Sequence, residues 1–389
     1  MANITLFAQI TQILDRAKFN KLVTDYNTDK YQKGFNSWSH LISMLFSHFA
    51  NSQSLRDISN GLRSATGNLS HLGNVQAPSK SNLGYQNAHR NWELFRAYYF
   101  KLYEQLGQQA KWRKSKFRIK SKIFLLDSTT VTLSLSLFDW AKYKTTKGAI
   151  KLHTLLDYDG NLPAYVLLTD GKTADNRAAY DIPLLKNSVI VADRYYNDFE
   201  LLNIWDSNDM FFVVRHKENL RYRQIKEKDL PKGKNEHILI DEIIELTGLQ
   251  SKSKYPKKLR RIAVWNDENK QVIELLTNNI RWSAATIAQL YKSRWQIEIF
   301  FREIKQLLHI KSFIGTSANA VLIQIWTAMI VILLLKYLKY IAKYGWHLSN
   351  LVAFIRLNIF VKIDLYTWLN NPFVKPEKTL DFPRQGTLF

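Results

Sequence analysis

Between residues 291 and 305 the chain reads YKSRWQIEIFFREIK, and five polar side chains recur there at regular intervals: Tyr291, Arg294, Glu298, Arg302 and Lys305. On an α-helix, at about 100° per residue, all five fall within an arc of roughly 80°. Ile297, Phe300, Phe301, Ile304, Leu307 and Leu308 fall on another face, which is expected to pack into a core. Taken alone, the stripe is what any surface amphipathic helix shows, with Arg294 and Glu298 an i,i+4 pair. Two further carboxylates change its meaning. Asp127 closes the apolar run KIFLLD, and Asp193 closes SVIVAD. A single Asp after a strand is commonly an Asx-turn residue, but strand ends are also where α/β folds present ligand-binding groups. Two adjacent strand ends and one packed helix can bring Asp127, Asp193 and Glu298 into one exposed cleft.

Three ionised carboxylates cannot share a cleft without cations. Hard oxygen ligands select Mg²⁺ or Mn²⁺ over zinc. Two such ions ~3.5–4 Å apart activate a water and stabilise both the attacking and leaving oxygens of a phosphodiester. Tyr291, Arg294 and Lys305, with Arg302 beside them, would then hold backbone phosphates, which explains an acid set inside a basic stripe.

The whole chain favours a polyanionic partner. Lys and Arg number 55 against 33 Asp and Glu in 389 residues, giving a net charge of +22 and a pI near 9.8. Nucleic acid and an anionic membrane surface both fit such an excess, and a merely basic soluble protein is the plainer alternative. The absence of cysteine excludes disulfides, thiolate metal sites and cysteine nucleophiles, and fits a reducing cytosol. The opening MANITLFAQITQILDRAKF has no basic n-region and carries Asp15 early, so no signal peptide is expected. AVLIQIWTAMIVILLL, residues 320–335, is shorter than the ~18–20 residues of a membrane helix and contains Gln324 and Thr327. A buried core helix is expected there, no membrane association, and nucleic acid becomes the leading partner.

The elements that must position these residues follow from periodicity. Residues 1–118 read as helical, with amphipathic stretches such as SWSHLISMLFSHFA. SLRDISNGLR and PSKSNLGYQNAHRNWELF resemble two helices joined by a turn, the second starting at Pro78 and Ser79; a helix-turn-helix and an ordinary bundle both fit. KWRKSKFRIKSK, residues 111–122, holds seven basic residues and no acid, with Trp112 and Phe117 interleaved as candidate nucleic-acid contacts. From residue 122 the texture changes. GAIKLHTLLDYDGNLPAYVLLTDG predicts two strands joined by a tight turn at Asp159 and Gly160. DNRAAYDIPLL predicts a helix with Asp175 or Asn176 as its N-cap, and SVIVADRYY another strand, returning beside the first. The fold class expected is therefore α/β, with residues 119–215 and 281–345 forming the core. Residues 216–280 read as a β-rich insertion containing SKSKYPKKLRR, with six basic residues and no acid, and residues 346–389 as a C-terminal tail.

The spacing from Tyr291 to Arg294, Glu298 and Lys305 resembles the YREK signature of bacterial insertion-sequence transposases of the DDE type. The flanking LLTNN, LYKSRWQIEIFFREIKQLL and FIGTSANAVLIQIW are similar too, and DSTT at Asp127 and ADR at 192–194 resemble the first and second acid motifs. The likeness covers 120–335 well and the N-terminal region more loosely. It implies an RNase H-like catalytic core with a β-rich insertion, preceded by an N-terminal helical region that binds DNA ends. It implies Asp127, Asp193 and Glu298 as the catalytic, metal-binding triad for two Mg²⁺, for which Mn²⁺ can substitute. Tyr291, Arg294 and Lys305 are implied contacts to transposon-end DNA, and Trp295 an aromatic stacked on a distorted terminal base. The SKSKYPKKLRR segment would add DNA contacts. Such enzymes hydrolyse the element's end, and the freed 3′-OH attacks the opposite strand, giving a hairpin, or target DNA. The implied partners are double-stranded DNA at the ends and target and a second copy in a synaptic homodimer, in the bacterial cytoplasm. Relatives often read Asp-Arg-Gly-Tyr at the second acid; Tyr195 stands at the Gly, where a tight turn with positive φ would be harder to form. A non-catalytic derivative, a nuclease that cuts without joining, and a membrane-surface protein are the rival readings.

Overall fold

The computed structural model describes residues 3–32, 34–65, 68–73, 76–109, 117–133, 142–144, 147–216, 220–230, 233, 237–307 and 313–373. Trp112, Leu308 and residues 374–389 of the tail lie outside these, as does the side chain of Leu307.

The N-terminal region is helical: α1 (Leu6–Thr11), α2 (Arg16–Asp25), α3 (Ser37–Ala50), α4 (Leu55–Ser64), α5 (Lys80–His89) and α6 (Glu93–Gln109). Polar caps set the starts: Asn36, Ser54 and Ser79 accept from Ser39, Asp57 and Asn82 N–H. Next come β1 (Ile123–Leu133), β2 (Lys142–Lys144), β3 (Lys147–Asp157), β4 (Leu162–Asp170), α7 (Asp175–Ala179), β5 (Val189–Ala192), α8 (Phe199–Ser207) and β6 (Phe211–Arg215). β7 (Tyr222–Glu227), β8 (Ile238–Leu246), α9 (Leu249–Lys254), β9 (Leu259–Asn266) and β10 (Gln271–Thr277) follow. The chain then returns to helices α10 (Ala284–Ser293), α11 (Trp295–Leu307), α12 (Ala318–Ile341), α13 (Leu348–Leu357) and α14 (Leu365–Asn370).

All these strands form one mixed sheet in the order β2-β3-β1-β5-β6-β10-β9-β8-β7, with β4 also on β3. The β1–β5 and β5–β6 pairs are parallel, so β5 does return beside β1. β10 pairs antiparallel with β6, which makes the strands of 216–280 an extension of the same sheet. Alternation along β1 divides the core. Ile123, Leu125 and Val131 join a cluster with α3, α6, α11 and α12, whereas Phe124 and Leu126 join a smaller one under α8. The 318–341 helix is long and apolar enough to cross a membrane, yet it is largely buried against α3, α5, α6 and α13. His48 Nε2 and Thr327 Oγ1, 3.0 Å apart, tie it to the N-terminal helices.

Three local expectations change. β1 does not stop at Asp127 but runs on to Leu133, paired only with β3 beyond Leu126. The β3–β4 turn spans residues 158–161, and its left-handed residue is Asn161 (φ 50°) rather than Gly160; an Asn tolerates that conformation nearly as well. The helix expected across 291–305 is two, meeting at Arg294, whose N–H bonds back to Tyr291 O and whose carbonyl accepts from Ile297 N–H.

Candidate active site

The parallel register of β1 and β5 ends at Leu126 opposite Ala192, and the next residue of each chain is an acid, Asp127 and Asp193. Ile123, Leu125, Val189 and Val191 all face the core cluster that contains α11. Continued by one alternation, Asp127 and Asp193 project to that same side. Glu298 lies in the first turn of α11, which packs on β1. The three acids and the cations Arg294, Arg302 and Lys305 line one open cleft of about 490 Å³.

Arg294 sits at the centre of this charge. Its Nη1 donates to Asp127 Oδ2 at 3.1 Å and its Nη2 to Glu298 Oε1 at 2.5 Å, and its side chain is only 18% exposed. Its guanidinium also lies 6.0 Å from the ring centre of Tyr291. Burial opposes its charge, but Tyr291, Asp127 and Glu298 together raise its pKa. Tyr291 is half-buried against the core rather than lining the cleft, and burial raises its phenol pKa. Trp295 is 56% exposed on the outer side of the helix start.

Burial pushes the Asp127 carboxyl up to about 7; the Ser128 N–H and Arg294 pull it down, while Asp193 and Glu298 push it further up. Burial raises Asp193 as well, against the Tyr195 N–H and Arg294, and with Asp175 adding to the rise. Among the described residues no three His, Asp or Glu side chains stand ready-made to hold a metal ion. The donor set of Asp127, Asp193 and Glu298, all hard oxygens around a place already held by a cation, suits a divalent ion once the guanidinium withdraws.

Tyr195 costs the site nothing. Asp193 begins a 3-10 turn over Arg194–Tyr196, and its Oδ1 accepts from Tyr195 N–H at 2.8 Å. No positive φ occurs there. The Tyr195 ring is exposed, with the Arg194 guanidinium 5.6 Å from its centre.

Three expectations change. Asp175 is not a capping residue: Ala174 holds the N-cap position of α7, and Asp175 Oδ1 instead accepts from Ser128 Oγ, next to Asp127. With Lys151 and His153 it forms a polar cluster that the sequence reading missed; the signal was the period-two pair Lys151 and His153 within an apolar strand. The SKSKYPKKLRR segment buries its two arginines, while Lys252, Lys254, Lys257 and Lys258 stay exposed. Arg260 is buried on Asp241, Arg261 on Glu242 and Glu274, and Lys257 pairs with Asp206. Phe117, likewise read as a contact, is partly buried against Tyr158.

Comparison with known proteins places this geometry in context. Residues 118–334 match the transposase DDE domain, and residues 2–74 match a domain of unknown function (DUF4372). A protein of Geobacillus stearothermophilus named as the transposase for insertion sequence element IS5377 is 31% identical over 240 residues, 61% of this chain and 63% of that protein. The chain thus spans somewhat less than two thirds of that relative. The transposase y4zB of Sinorhizobium fredii is 31% identical over 67% of this chain and 71% of its own. A Synechocystis transposase for element IS4SA is 23% identical over 71% and 76%. The solved piggyBac transposase synaptic complex with hairpin DNA aligns at a TM-score of 0.38 and 8% identity over 96% of this chain and 81% of its own, too distant to define a common fold.

Proposed function

The chain belongs to the transposase DDE-domain family, and from that premise we propose that it binds the ends of its own mobile element, cleaves them and joins the freed 3′-OH to target DNA. The observation that carries this reading is the convergence of Asp127, Asp193 and Glu298 on one open cleft lined by Arg294, Arg302 and Lys305. Mg²⁺ or Mn²⁺ held by the three acids would supply water activation and neutralise charge on the phosphodiester. Everything else falls to the chain. Arg302 and Lys305, toward the C-terminal end of α11, hold backbone phosphates along the cleft. Trp295, exposed one residue after Arg294, offers a face on which an unpaired terminal base stacks. Arg294 balances Asp127 and Glu298, and would be free to meet DNA phosphate if those carboxylates held divalent ions. Tyr291 backs its guanidinium, completing the YREK set. Two ends brought together need two such clefts, so the working form is a homodimer, acting on DNA in the bacterial cytoplasm.

The test is a duplex carrying the element's inverted terminal repeats, incubated with the protein and Mg²⁺. Glu298→Gln is expected to lower the cleavage rate by more than about a thousandfold, roughly 4 kcal/mol, with end binding within about twofold of the unaltered protein. Cleavage by that variant at an unaltered rate would move the third acid elsewhere. A protein that binds ends but never nicks them would make it a non-catalytic derivative.

A further inference from the structure

The sheet face opposite α11 carries a polar cluster that reaches the cleft at Ser128. In the antiparallel register of β1 and β3, Ser128 stands opposite His153 and Thr130 opposite Lys151. Asp175, the first residue of α7, joins them. Its Oδ1 accepts from Ser128 Oγ at 2.5 Å and pairs with Lys151 Nζ at 2.9 Å. His153 is fully buried, its Nε2 at 2.9 Å from Thr169 Oγ1 and its Nδ1 3.5 Å from Asp175 Oδ1 without a hydrogen bond. Lys151 and Asp175 are 16% and 18% exposed. An ion pair so enclosed gains little net stability against the cost of desolvating it, but it fixes geometry. What it fixes is Ser128, whose hydroxyl is held on this face while its N–H donates to Asp127 Oδ1 at 2.7 Å.

We propose that Asp175, charge-balanced by Lys151, is a positioning residue that acts through Ser128 on the orientation of Asp127. Ser128 lies two residues past the last parallel pairing of β1, where the strand has lost its β5 neighbour. There the Asp175 anchor replaces the missing ladder in holding the Ser128 peptide, and so the N–H that sets the Asp127 carboxylate. The inference rests on the proposed role of Asp127 as a ligand for divalent cations.

The test reads Mn²⁺ binding to the full-length protein by calorimetry, alongside end-DNA binding and thermal melting. Asp175→Ala and Ser128→Ala are each expected to weaken Mn²⁺ binding about 10- to 100-fold, with end binding unchanged. Ser128→Thr, which keeps the hydroxyl, is expected to stay within about threefold. The Asp175→Ala/Ser128→Ala double variant is expected to lose no more than the worse single one, because both act along one path. Additive losses, or Ser128→Ala binding Mn²⁺ as the unaltered protein does, would overturn the proposal. If Asp175→Ala does not fold, the Ser128→Ala and Ser128→Thr pair decides it. Asp127→Asn separates the two claims. Mn²⁺ lost in Asp127→Asn but kept in Asp175→Ala and Ser128→Ala removes only the positioning role, whereas Mn²⁺ bound normally by Asp127→Asn removes the metal reading itself.

Discussion

Replacing Arg294 by Met, which keeps much of the stem and removes the charge, is expected to destabilise the metal-free protein and to make it more responsive to divalent ions. Arg294 bridges Asp127 and Glu298, whose side chains are 16% and 34% exposed. Removing one partner of a buried pair costs about 3–5 kcal/mol because a charge is left uncompensated. The partial exposure of Glu298 puts this case at the low end, about 3 kcal/mol. With an unfolding entropy of roughly 2.1 cal/mol/K per residue, that lowers Tm by about 4 °C for a chain of this length. A divalent ion at 100 times its Kd restores about 2.7 kcal/mol, or about 3 °C. In the unaltered protein the ion must first displace the guanidinium, so its gain in Tm is smaller. Thermal melting with and without Mn²⁺ reads both effects. A variant that melts at or above the unaltered protein without metal, and responds no more strongly to Mn²⁺, would refute the idea that Arg294 and the cation occupy the acids by turns.

Lys305→Ala is expected to weaken end binding and to reduce the slope of log affinity against log salt by about 1; an unchanged slope in a filter-binding titration would remove its phosphate contact. Arg260→Met leaves Asp241 buried without its partner at 2.6 Å, so urea unfolding should show a loss of about 3–5 kcal/mol with an unaltered salt slope, and impaired end binding in a fully stable variant would contradict this. Acid should destabilise the helical region through His40. Burial first, and Arg90 second, push its pKa down to about 3 from 6.5, so the stability of the neutral ring is fully present above pH 6.5 and is lost as pH falls towards 3. That amounts to about 2 kcal/mol by pH 5, and His153, pushed by burial to about 4, adds in the same direction. His40→Phe should flatten the stability profile between pH 6.5 and 5; an undiminished slope would place the titrating group elsewhere.

The candidate site was legible where one-dimensional periodicity suffices. An apolar run ending on an acid, met twice, placed Asp127 and Asp193 at the end of a shared register, and a 3.6-residue stripe placed Glu298, Arg302 and Lys305 on one helix face. It was illegible where a residue's partner is distant in sequence. Asp175 satisfied every local rule for a helix cap, and its actual partner Ser128 lies 47 residues away. The extent of β1 differs for a related reason: the apolar run KIFLLD closes on Asp127, although the distant β3 continues to pair with the strand as far as Leu133.

Charge shows the same division. A run of six basic residues without an acid between Ser251 and Arg261 suggested a DNA-facing surface. Strand alternation sends side chains to both faces, however, and neighbouring strands supply the acids that the run itself lacks. Arg260 meets Asp241 across 19 residues, and Arg261 meets Glu242 across 19 and Glu274 across 13. At the cleft the opposite holds: Arg302 is exposed, and with Lys305 it lies a turn or more beyond Glu298 along the same cleft. A net charge of +22 therefore argues for a polyanion without locating it. Burial decides which cations can meet one, and it leaves the exposed Arg302 better placed than Arg260 and Arg261.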